Sequence, residues 1–304
     1  MIASPSSPIF LSVIIPAYNE ERRILRTLMA IDFYLSSKPY TSEIIVVSDG
    51  SQDATVSIVE GLKKLIPNLV LLSNPENHGK GYVVRQGMLN ARGVFRVFSD
   101  ADNSTAMEHV EKMWPLFREG YQVVIGSRDI KGAVRVVRQS RLKEWLGDFG
   151  NLFIQMVAGL EGLWDTQCGF KGFSQKAAED IFSRARINRW GFDVEALAIA
   201  RAFGYRIREI PVYWVNDPFS HVAFSAYIQV LWETVKIRWN IIRGVYGISQ
   251  ARADSLKPQA PSSQASSRIK LDNQTRDVTK SIVVTRARRR DGQALLKTKR
   301  RLSL

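Results

Sequence analysis

Cysteine is almost missing from this chain of 304 residues: Cys168 stands alone, so no internal disulfide can form and a reducing compartment is the expectation. Long apolar runs are missing as well. No stretch supplies the eighteen or so uninterrupted apolar residues of a membrane span, so any membrane contact is expected to be peripheral. The apolar run at 9–15 has no basic lead-in and flows straight into a strand pattern, which argues against a signal peptide. Acidic residues are scarce in one region: residues 250–304 carry 14 Lys and Arg against four Asp. That segment therefore holds +10 of the formal charge of +14, leaving +4 for residues 1–249. It is also poor in aromatics and shows no sustained apolar period, so it reads as a disordered basic tail. The remainder has core-forming content, with 45% hydrophobic residues in the chain as a whole, ordinary for a globular protein. The expected layout is a short extension at 1–8, a folded domain at 9–249 and the tail at 250–304.

Residues 94–98 form a short apolar strand pattern that ends in Ser99, Asp100, Ala101, Asp102 and Asn103. In an extended chain residues i and i+2 share a side, so a slight turn at Ala101 lets Asp100 and Asp102 address one hard cation. Mg2+ or Mn2+ suits such a pair, because these ions take one or two carboxylates and keep other positions for water and phosphate. A strand-end turn in which the acids satisfy local backbone groups is the plainer alternative.

Four further segments place this turn in an alternating frame. Residues 11–15 read as a buried strand, followed by Pro16, Ala17, Tyr18, Asn19, Glu20 and Glu21 and a helix through Ile24, Leu28 and Ile31, with Asn19 as the expected cap. Residues 43–48 form the next strand, with Asp49 at its end and Asp53 as the expected N-cap of a helix reaching Leu65. Residues 68–72 are a third strand. The loop at 74–81 holds glycines and Lys80, which reaches a phosphate or is a solvated charge. A helix at 82–91 then leads to the strand before Asp100. This alternation predicts an α/β fold with a parallel, doubly wound sheet, whose ligands sit beyond the carboxyl ends of the strands. A helix at 107–119 and a strand at 121–125 ending in Gly126, Ser127 and Arg128 continue it.

Beyond residue 128 the pattern changes. Arg135, Arg138, Arg141 and Lys143 precede an apolar, aromatic segment at 145–164, a basic rim beside an apolar surface or a core helix with a charged start. A helix at 175–184, a helix opened by residues 190–195 and strand-like residues 205–215 follow. Between 222 and 246, Tyr227, Ile228, Leu231, Trp232, Val235, Trp239 and Ile242 recur at helical spacing. That helix lies in a membrane interface or packs on its own domain.

The motifs taken together resemble the family 2 glycosyltransferases, and within them the dolichyl-phosphate β-glucosyltransferases and other polyprenyl-phosphate sugar transferases. The resemblance spans residues 11–246 and rests on IPAYNE (15–20), VVSDGSQDAT (46–55), NHGKG (77–81), SDAD (99–102), GSR (126–128), DTQCGFKGF (165–173) and RWGFDVE (189–195). It implies a GT-A-type, Rossmann-like domain with C-terminal amphipathic helices, in which 9–128 is the nucleotide-sugar half and 129–249 the half facing acceptor and membrane. It implies that Pro16, Ala17, Tyr18, Glu20 and Asp49 surround the nucleoside, that Lys80 lies near the nucleotide, that Asp100, Ala101 and Asp102 hold the metal-diphosphate, and that Arg128 faces phosphate. Ser48 stands where many members carry an aspartate, and His221 where relatives often carry a lysine. Asp193 and Asp165 are the candidate acceptor-side carboxylates, Asp193 alternatively a helix cap. Arg135, Arg138 and Ser220 are the candidate contacts to an acceptor phosphate.

The implied reaction is an inverting transfer of a hexose, glucose being the expectation, from a nucleotide sugar such as UDP-glucose to polyprenyl or dolichyl phosphate at the cytoplasmic face of a membrane. A lipid phosphate, with its second pKa near ~6, is already anionic at neutral pH and needs no strong base; a hydroxyl acceptor would need one, worth ~10²–10⁴-fold. A transferase with a glycan or small-molecule hydroxyl acceptor is the first alternative. A nucleotide-sugar sensor without turnover is another. Nucleic-acid binding through Arg288–Arg290 and Lys299–Arg301 is the weaker one, because the positive charge sits in the tail and the aromatics of the folded part are not interleaved with it.

Overall fold

The computed structural model describes residues 8–135, 141–215 and 224–248. Arg138, Ser220, His221, the 1–7 segment and the expected tail lie outside the described residues.

Strand β1 (Leu11–Ala17) is buried at all seven positions, the signature of a strand covered on both faces. Its alternate side chains feed two separate cores. Ile14 joins Ile45, Val47, Phe98 and Ile125 on one face, whereas Leu11, Val13 and Ile15 join Ile44, Val46, Val97 and Val124 on the other. A shift of one residue in register would exchange these sets, so the pleat itself specifies the pairing. Helices α1 (Ile24–Ser36) and α2 (Thr55–Leu62) cover the second face through Ile24, Leu28, Ile31, Val59 and Leu62. Helix α3 (Lys80–Asn90) covers the first through Val83, Val84 and Met88.

Strands β2 (Ser42–Asp49) and β3 (Leu69–Asn74) extend the sheet from β1 in parallel on one side, and β4 (Phe95–Ser99) pairs in parallel on the other. The chain thus reverses its direction of travel at the boundary of β1 and β4. That reversal opens a crevice at the carboxyl ends of the two strands, where Pro16, Ala17, Asp100 and Asp102 lie.

Continuing, a 3-10 turn (Met107–Lys112) and α4 (Met113–Arg118) replace the single helix predicted over 107–119; Pro115 is the third residue of α4. Strand β5 (Val123–Ser127) is followed by the two-residue β6 (Val134–Arg135) and α5 (Arg141–Ala158). The sheet is parallel as expected except at β7 (Phe170–Ser174), which lies antiparallel between β4 and β5 in the order β3-β2-β1-β4-β7-β5-β8. Helices α6 (Gln175–Phe182) and α7 (Phe192–Ala202) follow. The strand-like stretch at 205–215 is two strands, β8 (Ile207–Pro211) beside β5 and β9 (Tyr213–Trp214) beside β6. Helix α8 (Phe224–Ile242) packs against α5 and α7.

Two expected caps differ. Asn19 does not start α1: it adopts a left-handed backbone (φ 53°) and its Oδ1 accepts from Gln52 N. The chain needs the turn of residues 20–23 before the helix begins at Ile24. Asp53 holds the start of α2 from one residue outside the cap, accepting from Thr55 N at 2.9 Å, while its other oxygen accepts from Glu21 N at 3.0 Å. The N-cap position itself is Ala54, whose N–H donates to Glu21.

Candidate active site

At the carboxyl end of β4 the backbone turns through Asp100–Asn103. Asn103 takes a left-handed φ of 54°, and Thr27 Oγ1 donates to Ala101 O at 2.6 Å, tying the turn to α1. Asp102 Oδ1 accepts from Ser104 N at 2.9 Å. Asp100 N donates to Gly169 O at 3.1 Å, and its carboxylate lies over Gly169 so closely that a Cβ added there would stand 1.9 Å from Oδ2. Only a residue without a side chain leaves that space.

The two aspartates line a cleft of about 580 Å³ together with Pro16, Ala17, Tyr18, Glu20, Asp49 and Lys80, a volume in the range of small-ligand sites. The fold therefore gathers the predicted donor-side set from the ends of β1, β2 and β4 and the start of α3. Asp49 faces the cleft while both its carboxylate oxygens brace the glycine loop, accepting from His78 N at 2.7 Å and Gly79 N at 2.8 Å. Glu20 is paired with Arg23.

The electrostatics of the cleft are unbalanced toward negative charge. Burial, then the charge of Asp100, pushes the Asp102 carboxyl above its ordinary value, and burial raises Glu20. Lys80 Nζ stands 2.6 Å from Asp100 Oδ1, an ion pair that does not form a hydrogen bond of good geometry, so this oxygen is left with unused acceptor capacity. Burial would lower the Lys80 pKa, but the charges of Asp100, Asp193 and Asp102 raise it. Two half-buried carboxylates on one turn, one of them with an oxygen under-used, fit a hard divalent cation. No ready cage of three or more His, Cys, Asp or Glu exists among the described residues, so such an ion would complete its shell with water and phosphate oxygens.

The remaining predicted residues lie deeper or to the side. Arg128, at the end of β5, is locked to Asp165 by two guanidinium bonds of 2.7 and 2.8 Å and a backbone bond of 2.9 Å. Burial favours a neutral Asp165, yet the Arg128 charge and these bonds hold its carboxyl below the ordinary range. Asp165 thus positions Arg128 rather than standing free. Asp193, near the start of α7, is bound by the fully buried Lys171 at 2.5 Å, and Lys171 also donates to Cys168 O. Burial pushes the Asp193 carboxyl up, against the charges of Lys171 and Lys80. Its expected alternative as a helix cap is not what it does, since Gly191 occupies the N-cap of α7. Arg135 is exposed on β6 and paired with Asp129, outside the cleft.

Several residues were missed. Arg189 and Trp190 line the cleft beside Asn77, Gly79 and Arg23. The motif RWGFDVE contained the first two, but only contact across the fold distinguishes them from other residues of a loop. Gly169 likewise sits in a quoted motif whose spacing carries no hint of Asp100, 69 positions earlier.

A family model described as Glycosyl transferase family 2 matches residues 12–182. Dolichyl-phosphate beta-glucosyltransferase ALG5A of Trichomonas vaginalis is 35% identical over 246 residues, covering 78% of this chain and 75% of that protein. Dolichyl-phosphate beta-glucosyltransferase of Drosophila melanogaster is 38% identical (72% of each chain), and that of Homo sapiens 32% (80% and 79%). Among solved structures, glucosyl-3-phosphoglycerate synthase from Mycobacterium tuberculosis in complex with Mn2+, UDP and phosphoglyceric acid superposes with a TM-score of 0.55 at 20% identity, covering 76% of this chain and 78% of that one. That likeness concerns the GT-A fold.

Proposed function

The chain belongs to glycosyl transferase family 2, and from that premise we propose that it moves a hexose from a nucleotide sugar to the phosphate of a polyprenyl lipid at a membrane surface. The donor in this reading is UDP-glucose, the acceptor is dolichyl or another polyprenyl phosphate, and the work is done at the cytoplasmic face. The carrying observation is the Asp100–Asp102 turn with Lys80 in one cleft with Pro16, Ala17, Tyr18 and Asp49. The names of the relatives support the acceptor.

In this reading residues 9–128 hold the donor. The nucleoside lies along Pro16, Ala17, Tyr18 and Asp49, and the diphosphate faces Lys80 and the amino end of α3, where backbone N–H groups favour an anion. Asp100 and Asp102 would hold Mg2+ or Mn2+, which would supply positive charge for the departing diphosphate. An oxygen of the acceptor phosphate attacks C1 of the hexose from the face opposite the diphosphate. The C1–O bond to the diphosphate breaks, its electron pair leaves with the nucleoside diphosphate, and the configuration at C1 inverts. Because the attacking oxygen is already anionic, Asp193 is assigned to orienting the acceptor, held in place by Lys171. Arg128, positioned by Asp165, adds positive charge close to Asp100.

The membrane assignment draws on α8. Trp232 is 70% exposed, and Ile228, Trp239 and Ile242 are more than half exposed along the same helix. Large apolar side chains gathered this way mark an interaction surface, and Trp with Lys and Arg nearby suits the headgroup level of a bilayer. No helix among the described residues is long and apolar enough to cross a membrane.

The test is incubation of the purified chain with UDP-glucose, Mn2+ and farnesyl phosphate, with products read by mass spectrometry, beside flotation with phosphatidylcholine–phosphatidylserine vesicles. The expected product is hexosyl phosphoryl farnesol, and the protein is expected to float. Transfer only to hydroxyl acceptors, or failure to bind vesicles, refutes the reading.

A further inference from the structure

The segment between α6 and α7 is short and tightly held. Arg186 N and Ile187 N each donate to the Glu195 carboxylate at 2.9 Å, and Asn188 O accepts from Tyr82 N at 3.0 Å. Arg85 donates to Asn188 Oδ1 at 2.9 Å, and Gly191 N donates to Glu233 Oε2 at 2.6 Å. The segment presses on the glycine loop: a Cβ at Gly79 would stand 2.5 Å from Asn188 O and 2.9 Å from Arg189 Cγ. The backbone of Arg189 is therefore fixed beside Gly79 and Lys80 at the edge of the cleft.

Three cationic side chains line that cleft. Arg23 is engaged by Glu20 and Lys80 by Asp100. Arg189 is exposed and forms no ion pair or hydrogen bond with the described residues. A guanidinium carried on a held backbone at the edge of an acidic cleft, with its fork unspent among the described residues, is suited to bind a phosphate group bidentately. Glu233 ties this segment to α8. This carboxylate anchors Gly191 from α8, immediately after the exposed Trp232. The element bearing the apolar surface thus holds the segment bearing Arg189.

We propose that Arg189 binds the phosphate of the acceptor and so selects a phosphate monoester over a hydroxyl at the attacking position. The proposal rests on the transfer to a lipid phosphate argued above. It assigns the role to a residue outside the expected basic rim, in which Arg135 is paired with Asp129.

The test uses the full chain, Mn2+, UDP-glucose and farnesyl phosphate, comparing wild type with Arg189→Gln and Arg189→Lys. Arg189→Gln is expected to raise KM for farnesyl phosphate on the order of 10- to 100-fold, as for loss of a charge-assisted hydrogen bond, and Arg189→Lys to recover part of it. KM for UDP-glucose and Kd for UDP are expected to stay within about twofold of wild type, which also certifies the fold of the variants. An unchanged KM for farnesyl phosphate in an active Arg189→Gln enzyme overturns the proposal alone. An equal rise in KM for UDP-glucose and Kd for UDP overturns it too, assigning the guanidinium to the donor diphosphate. A wild-type enzyme that transfers nothing to farnesyl phosphate overturns the functional reading itself, and this proposal with it.

Discussion

Replacing Gly169 by alanine separates the geometry of the site from the stability of the fold. The added Cβ would stand 1.9 Å from Asp100 Oδ2 and 2.3 Å from its Cγ, whereas ordinary contact begins at 3.4 Å. The carboxylate must therefore retreat by roughly 1.5 Å, and a displacement of about 1 Å at a reacting centre costs ~10²-fold in rate. What yields is the end of a side chain, and the backbone at Gly169 is not in the left-handed region. The cost to folding should stay below about 1 kcal/mol, roughly 2–4 °C in melting temperature for a domain of this size. The assay is kcat/KM for UDP-glucose at saturating Mn2+, with Mn2+ affinity and a thermal melt measured alongside. Gly61→Ala is the control: Gly61 is exposed in α2 with nothing within 4 Å of an added Cβ, so alanine there should stabilise by ~0.5–1 kcal/mol and leave rate unchanged. If Gly169→Ala keeps activity and Mn2+ affinity within about threefold of wild type, the position of Asp100 is not what the reaction requires, and the reasoning from ångströms to rate fails.

Asp165→Asn should destabilise by about 3–5 kcal/mol in urea titration, because it leaves the Arg128 charge without its buried partner. Asp165 is held below its ordinary value of 3.8, so its contribution is complete above that value and is lost as pH falls through the lower, folded-state pKa. The variant should therefore lose less stability over that acid window than wild type; an identical acid limb would refute the assignment. Cys168 is 1% exposed and burial pushes its thiol to about 12, so roughly one molecule in 10⁵ carries thiolate at pH 7. A thiol reagent should label it only after unfolding, and fast labelling of the native chain would contradict the buried placement.

Legibility in the sequence followed the range of the forces involved. The strands leading to Asp49 and Asp100 were readable because an unbroken apolar run bounded by polar turns is what a strand buried on both faces requires. The Asp100–Asp102 pair was readable because two residues two apart in an extended chain share a side. Strand β7 was not, since four of its five residues are buried and nothing local says whether such a run pairs in parallel or antiparallel. Asn19 was misread because capping chemistry is shared by helix starts and loop braces, and only Gln52, in the turn after β2, decides between them.

The sequence by itself determined the alternation of strands and helices and the acidic turn, since both depend on neighbours within a few positions. Tertiary structure alone decided which charges are spent and which remain. Arg128 meets Asp165 37 positions away, Lys171 meets Asp193 after 22, and Arg189, in the same cleft as Lys80, has no ion pair among the described residues. Ion pairing depends on distance in space, and chain spacing carries no record of that once the backbone has folded back on itself.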